Sequence, residues 1–177
     1  MAAAEKKRTG APRRHARRTS GWKFFLALIL AGSVLAGRVP GGSPNELEKL
    51  ENDLFFLVNL ARSQRGLPQL RFDPRLRGMA REHSKKMAME QELAHDFPGY
   101  DKLSARARSA GMYFGVIGEN LAIGDTAIMR LYHEHMLASA GHSINILDKA
   151  YTHLGIGIVE GGGRYYITQE FASLNKP

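Results

Sequence analysis

Cysteine is absent from this 177-residue chain. No disulfide and no lipid-bearing thiol is available, so stability outside a cell has to come from packing alone. A long apolar run is missing too. The most hydrophobic stretch, Phe24 to Leu35, is broken by Gly32 and Ser33 and falls short of the roughly 20 residues that span a bilayer comfortably. No internal repeat is visible, and the length suits one domain with a proper core better than two.

What the chain has in excess is positive charge, +8 with a pI near 9.9. That charge is concentrated at one end. Residues 1–23 carry eight of the 25 basic residues and one of the 17 acidic ones, so 17 basic face 16 acidic residues downstream. The remainder is near neutral and offers little electrostatic reason to bind nucleic acid.

A basic stretch, then Phe24 to Leu35, then small residues is the order of an export signal, and Val34-Leu35-Ala36 supplies a cleavage site. Residues 1–36 are therefore expected to be an export signal, with an uncleaved anchor as the alternative; in that case residues 22–36 contact the membrane. The positive end stays in the cytoplasm either way, which puts the rest of the chain on the extracytoplasmic side, secreted, periplasmic or tethered. Residues 37–43, with Pro40, Gly41 and Gly42, read as a flexible spacer, and 44–177 as the folded domain.

Ser43-Pro44-Asn45-Glu46 is a helix start with a capping box, followed by Leu47, Leu50, Leu54, Leu57 or Val58 and Ala61 at helical spacing, with a stop near Arg65-Gly66. Asp73-Pro74 opens a second helix with an inner face of Leu76, Met79 or Ala80, His83 and Met87; His83 there is expected to be structural. A shorter helix spans about 101–110, with Leu103, Ala107 and Ala110 inward and Gly111 ending it. Asp125 or Thr126 caps a further helix through Ile128, Leu131, His135 and Ala138 to about Gly141, and a turn of helix follows over 143–147. The period then changes to two. Leu154 to Val159 and Tyr165 to Phe171 form an antiparallel hairpin around Gly161-Gly162-Gly163, and Gly155 and Gly157 bare one strand face to a helix backbone or a ligand. Helices first and strands last indicate an α+β domain.

Three segments hold polar groups that packing does not explain: Leu93-Ala94-His95-Asp96, Ile117 to Ala122 around Glu119, and Ser139 to Leu147 around His142. A carboxylate among apolar neighbours requires a partner, and Glu119 facing imidazoles would fix their orientation; two histidines can also ligate a divalent ion. By contrast, His133 and His135 stand two apart on a helix and point to different sides. Arg71, Arg75, Arg77, Arg81, Lys85 and Lys86 read as a solvated basic face. Tyr113, Phe114, Tyr165, Tyr166 and Phe171 read mainly as core, with an apolar groove for a lipid or peptide as the alternative.

In order, Asn59-Leu60-Ala61-Arg62, Gly66-Leu67-Pro68, Ala80 to Met87, His95, Gly118-Glu119-Asn120-Leu121-Ala122, Ser139-Ala140-Gly141-His142, Gly155-Ile156-Gly157 and Gln169-Glu170-Phe171-Ala172 resemble the CAP superfamily of cysteine-rich secretory, antigen 5 and pathogenesis-related 1 proteins, in its short cysteine-free bacterial branch. The resemblance covers about residues 47–172. It implies an α-β-α sandwich, a small antiparallel sheet flanked by helices, and a central cleft. Carried over by position, His95 and His142 match the family's two histidines and Glu119 its first acid, while Ser139 stands where many members have a second glutamate. The resemblance thus implies a binding cleft of His95, Glu119, His142, Ser139 and Asn120, with His95 and His142 as the metal-ligand candidates.

The leading expectation is an exported, non-enzymatic module that binds a cell-envelope component or a small apolar lipid or peptide ligand, with no nucleic-acid partner. No cofactor is assigned with certainty; a divalent metal such as zinc is the candidate, in an open or weak site. The rival is a metal-assisted hydrolase acting on cell-wall or peptide substrate, with Glu119 as general base. No nucleophile is evident for it.

Overall fold

A computed structural model describes residues 43–174; the expected leader and all of the spacer but Ser43 lie outside the described residues. Ser43 starts the first helix, α1 (Pro44–Ser63), as the sequence predicts. Its hydroxyl accepts from the Glu46 N–H at 3.3 Å, and the Glu46 carboxylate accepts from the Ser43 N–H at 2.7 Å, so two otherwise unpaired donors are satisfied. Asp73 caps α2 (Pro74–Glu90), whose buried face is Leu76, Met79, Ala80, His83, Ser84 and Met87. The short α3 (Leu103–Ser109) falls inside the expected 101–110, with Gly111 at φ 70° behind it.

Four strands follow the order β1-β3-β4-β2, where β1 is Arg71–Phe72, β2 Phe114–Gly124, β3 His153–Gly161 and β4 Arg164–Leu174. β3 and β4 are the predicted hairpin, and β2 lies antiparallel against the other side of β4. Two-residue β1 pairs parallel to β3, so the sheet is antiparallel except at that edge. α2 and α3 cover one face of the sheet. α1, α4 (Met129–Ala138) and α5 (Ala140–Leu147) cover the other, completing the α-β-α sandwich of an α+β domain.

The larger core lies on the α1 side, where Leu54, Val58, Met136 and Ile146 meet Leu154, Ile156, Ile158, Ile167 and Phe171. On the other side α2 rests directly on β3. A methyl added at Gly155 would collide with the backbone nitrogen of Arg77, and one at Gly157 with that of Arg81, so the bare face of β3 accepts a helix and not a ligand.

Several expectations need correction. Thr126 Oγ1 accepts from the Ile128 N–H at 3.2 Å, which makes 126–128 a turn before α4 rather than its first residues. The buried face of α4 is consequently Met129, Tyr132, His133 and Met136, and Ile128, Leu131 and His135 are exposed. The helix stops at Ala138 because Ser139 is extended (φ −87°, ψ 122°), and α5 restarts at Ala140, placing His142 in its first turn. The basic stretch is not simply a solvated face. Arg81 makes two bonds of 2.8 and 2.6 Å to Glu51, and Arg77 lies 3.4 Å from the same carboxylate, which is buried and also accepts from the Ile158 N–H of β3 at 3.1 Å. Of the aromatic set, Tyr166 and Phe171 are buried core and Tyr113 is exposed.

Candidate functional site

β2 and β4 are in register with Glu119 directly opposite Glu170, two carboxyl groups on the sheet face beneath α2 and α3. Like charges in that relation repel, and neither group has water to screen it. Arg106, on the inner face of α3, resolves the conflict. Its Nη2 donates to Glu119 Oε2 at 2.6 Å and its Nη1 to Glu170 Oε1 at 2.9 Å, so one guanidinium spans both acids.

The other oxygen of Glu119 faces the loop that follows α2. His95 Nδ1 donates to Glu119 Oε1 at 2.7 Å, a role assigned from its acceptor. His83 Nε2 donates to the Ala94 carbonyl at 3.0 Å and stands 3.7 Å from the same Glu119 oxygen. Stacking of His83 on Tyr100 and its contact with Phe97 fasten the loop to α2, so His83 is structural as expected, yet it also belongs to the cluster's wall.

Burial pushes Glu119 upward, but the bond from His95, the nearby His83 and the Arg106 guanidinium outweigh it and hold the carboxyl below its ordinary value. Glu170 goes the other way. Full burial and then the neighbouring Glu119 raise it well above the ordinary carboxyl value, with Arg106 offsetting only part, so of the two acids Glu170 is the one that holds a proton more readily. His95 is raised by its bond to Glu119. His83 is lowered, chiefly by burial.

His142 comes from the opposite side. Burial first, and the proximity of His95 second, lower its pKa and keep the ring neutral. Its carbonyl accepts from Asn120 Nδ2 at 3.1 Å, and Asn145 Nδ2 donates to the Glu119 carbonyl at 3.2 Å, so α5 is tied to the free edge of β2 by side-chain amides. Asn120, expected to line the cleft, is instead buried, and its amide is spent on His142, Gln169 and Asn145. Ser139 and His142 line a cavity of about 450 Å³ whose other walls include Leu93, Leu121, Ile123, Leu131 and Met136. His95, two residues after the lining Leu93, is exposed and is not itself among the lining residues, and Glu119 is buried.

A firmly held divalent ion needs three or four protein ligands. Among the described residues no three His, Asp or Glu side chains gather in that way, and both oxygens of Glu119 are already engaged. The described residues do not fit such an ion.

Sequence reasoning missed Arg106 and Glu170. A signal for Arg106 existed, because it shares the inner face of its helix with Leu103 and Ala110, where a cation has to be paired. The model of the CAP family, described as the cysteine-rich secretory protein family, matches residues 55–171. This chain belongs to that family.

This CAP domain is 32% identical over 129 residues to the uncharacterized protein YkwD of Bacillus subtilis (strain 168), covering 73% of the chain and 49% of the relative. It is also 32% identical over 125 residues to the uncharacterized membrane protein YlbC of the same organism, covering 68% and 34%. The chain thus spans about half the length of the first relative and less of the second. Among solved structures, an extracellular SCP-domain protein from Bacillus anthracis superposes with a TM-score of 0.67 at 28% identity, over 75% of this chain and 44% of that one. An outer surface protein of Borrelia burgdorferi reaches 0.69 at 16% identity over 76% and 98%, a likeness of fold alone. Among the described residues no helix is long and apolar enough to cross a membrane.

Proposed function

We propose that this CAP domain is an extracytoplasmic binding module that takes a small apolar ligand, or the apolar part of an envelope component, into the cavity between β2, α4 and the loop carrying Leu93. The observation that carries the reading is the cavity itself. At about 450 Å³ it is of ligand size, its walls are mainly hydrocarbon, and His142 and Ser139 are among the polar residues that line it, with His135, Tyr132 and Thr126. Leu93 and Leu131 keep 47% and 41% of their surface exposed and both line the cavity, so they offer apolar area that a ligand there would cover. The basic and apolar leader, and the extracellular character of the Bacillus anthracis relative, support a location outside the cytoplasm.

The rival hydrolytic reading meets a chemical obstacle. A general base needs a free lone pair near its working pH, whereas Glu119 has both oxygens engaged and its pKa held down. Binding of the apolar dye Nile red, followed by fluorescence, tests the proposal. Saturable binding should be lost in Leu93→Glu/Leu131→Glu, two surface changes that leave the core intact. Equal binding by wild type and the double variant would refute it.

A further inference from the structure

The cleft histidine His95 sits at the end of a chain of contacts that begins in the core: Glu170, Arg106, Glu119, His95. Only the last member reaches solvent. The side chain of Arg106 is 7% exposed, those of Glu119 and Glu170 3% and 0%, and that of His95 63%. A proton held by Glu170 offers Glu119 an alternative to this arrangement, which is to rotate toward Glu170 as the acceptor of that proton. In that orientation Glu119 has turned from His95, and the imidazole loses its acceptor. A guanidinium is suited to prevent this, because its fork offers separate N–H groups to the two acids at once and cannot lose its proton.

We infer that Arg106 is a positioning residue for His95: by spanning Glu170 and Glu119 it fixes the Glu119 carboxylate toward His95, which locks the His95 ring with Nδ1–H directed to Glu119 and Nε2 left free of it. The inference rests on the site reading given above, but its test does not depend on any ligand. The consequence is chemical. An imidazole free in water prefers to carry its proton on Nε2, whereas one with a carboxylate behind Nδ1 carries it there and leaves the Nε2 lone pair outward. Arg106 therefore decides whether the exposed His95 ring presents a lone pair or an N–H at Nε2 when it is neutral.

The experiment is ring-nitrogen NMR of His95 in the folded domain at a pH where the ring is neutral. Wild type should show one form, protonated at Nδ1. In Arg106→Met the spectrum should shift toward the Nε2–H form of free histidine, and Arg106→Lys, which restores the charge, should move it back toward wild type. A purely structural Arg106 predicts lower stability in both variants with the Nδ1–H form retained. That result in folded Arg106→Met would overturn the inference. If Arg106→Met does not fold, Arg106→Gln against Arg106→Lys makes the same comparison, with an uncharged and a charged side chain. Equal Nδ1–H content in those two would overturn it as well, and so would a wild-type ring that is already mixed.

Discussion

Glu170→Gln separates a neutral buried acid from a buried ion pair. If Glu170 were ionised, removing its charge would break a buried pair with Arg106, at a cost of about 3–5 kcal/mol. The structure argues for the neutral form, since the carboxyl is fully buried, faces Glu119 across the strands, and shares its one cation with that second acid. Glutamine reproduces that form. Its carbonyl can keep the 2.9 Å bond from Arg106, and its N–H₂ replaces the acid proton, so a change within about 1 kcal/mol is expected at the low end of the pH range. The pH dependence carries the sign. Because the folded pKa lies above the unfolded one, the native state holds a proton that the unfolded chain has lost. Wild-type stability then declines as pH rises from the ordinary carboxyl value through the raised one, with a limiting slope of about 1.4 kcal/mol per pH unit. The variant lacks that loss, so the difference should move in its favour as pH rises. Urea unfolding of both proteins between about pH 5 and pH 8 measures it. A variant weaker by more than about 3 kcal/mol at every pH, with no convergence toward wild type, would refute the reasoning.

Three further outcomes follow from other contacts. Gly157→Ala should cost about 2–3 kcal/mol, because the new methyl meets the α2 backbone at Arg81 rather than a side chain that can turn aside; an unchanged melting temperature would contradict the packing described. Glu51→Ala should lower unfolding free energy by about 2–3 kcal/mol by leaving the Ile158 N–H without its acceptor and Arg81 without its bidentate partner, and a loss below experimental error in urea titration would count against it. His95→Ala should produce a stability deficit that depends on pH. His95 is raised and Glu119 lowered, so the pair's contribution persists between their folded values, fades as pH rises through that of His95, and fades as pH falls through that of Glu119. A deficit constant across that range would show that the charge on the ring adds nothing to their bond.

What the sequence discloses and what it hides divide along a physical line. Local signals are legible: the Ser43 box, the Asp73 cap and the alternation of Leu154 to Phe171 each act within a few residues, and each element starts or runs where they place it. β2 is hidden because Glu119 and Asn120 interrupt its apolar pattern, and their reason for being there is tertiary. Glu170 is hidden by the same logic. Alternation suggests that one strand face meets water, but a sheet covered on both sides buries both sets, and Thr168 and Glu170 then lie beneath α2 as deeply as Ile167 and Phe171 lie beneath α1. The family resemblance supplied His95, Glu119 and His142 as separate positions along the chain. The cross-strand register makes Glu119 a problem of repulsion, and Arg106, brought from the short helix just upstream of β2, makes it a fixed ionised group instead. The residues that carry a site's charge are then those that no single segment can justify, and the place to look for them is any helix face where a basic side chain falls among residues already assigned to the core.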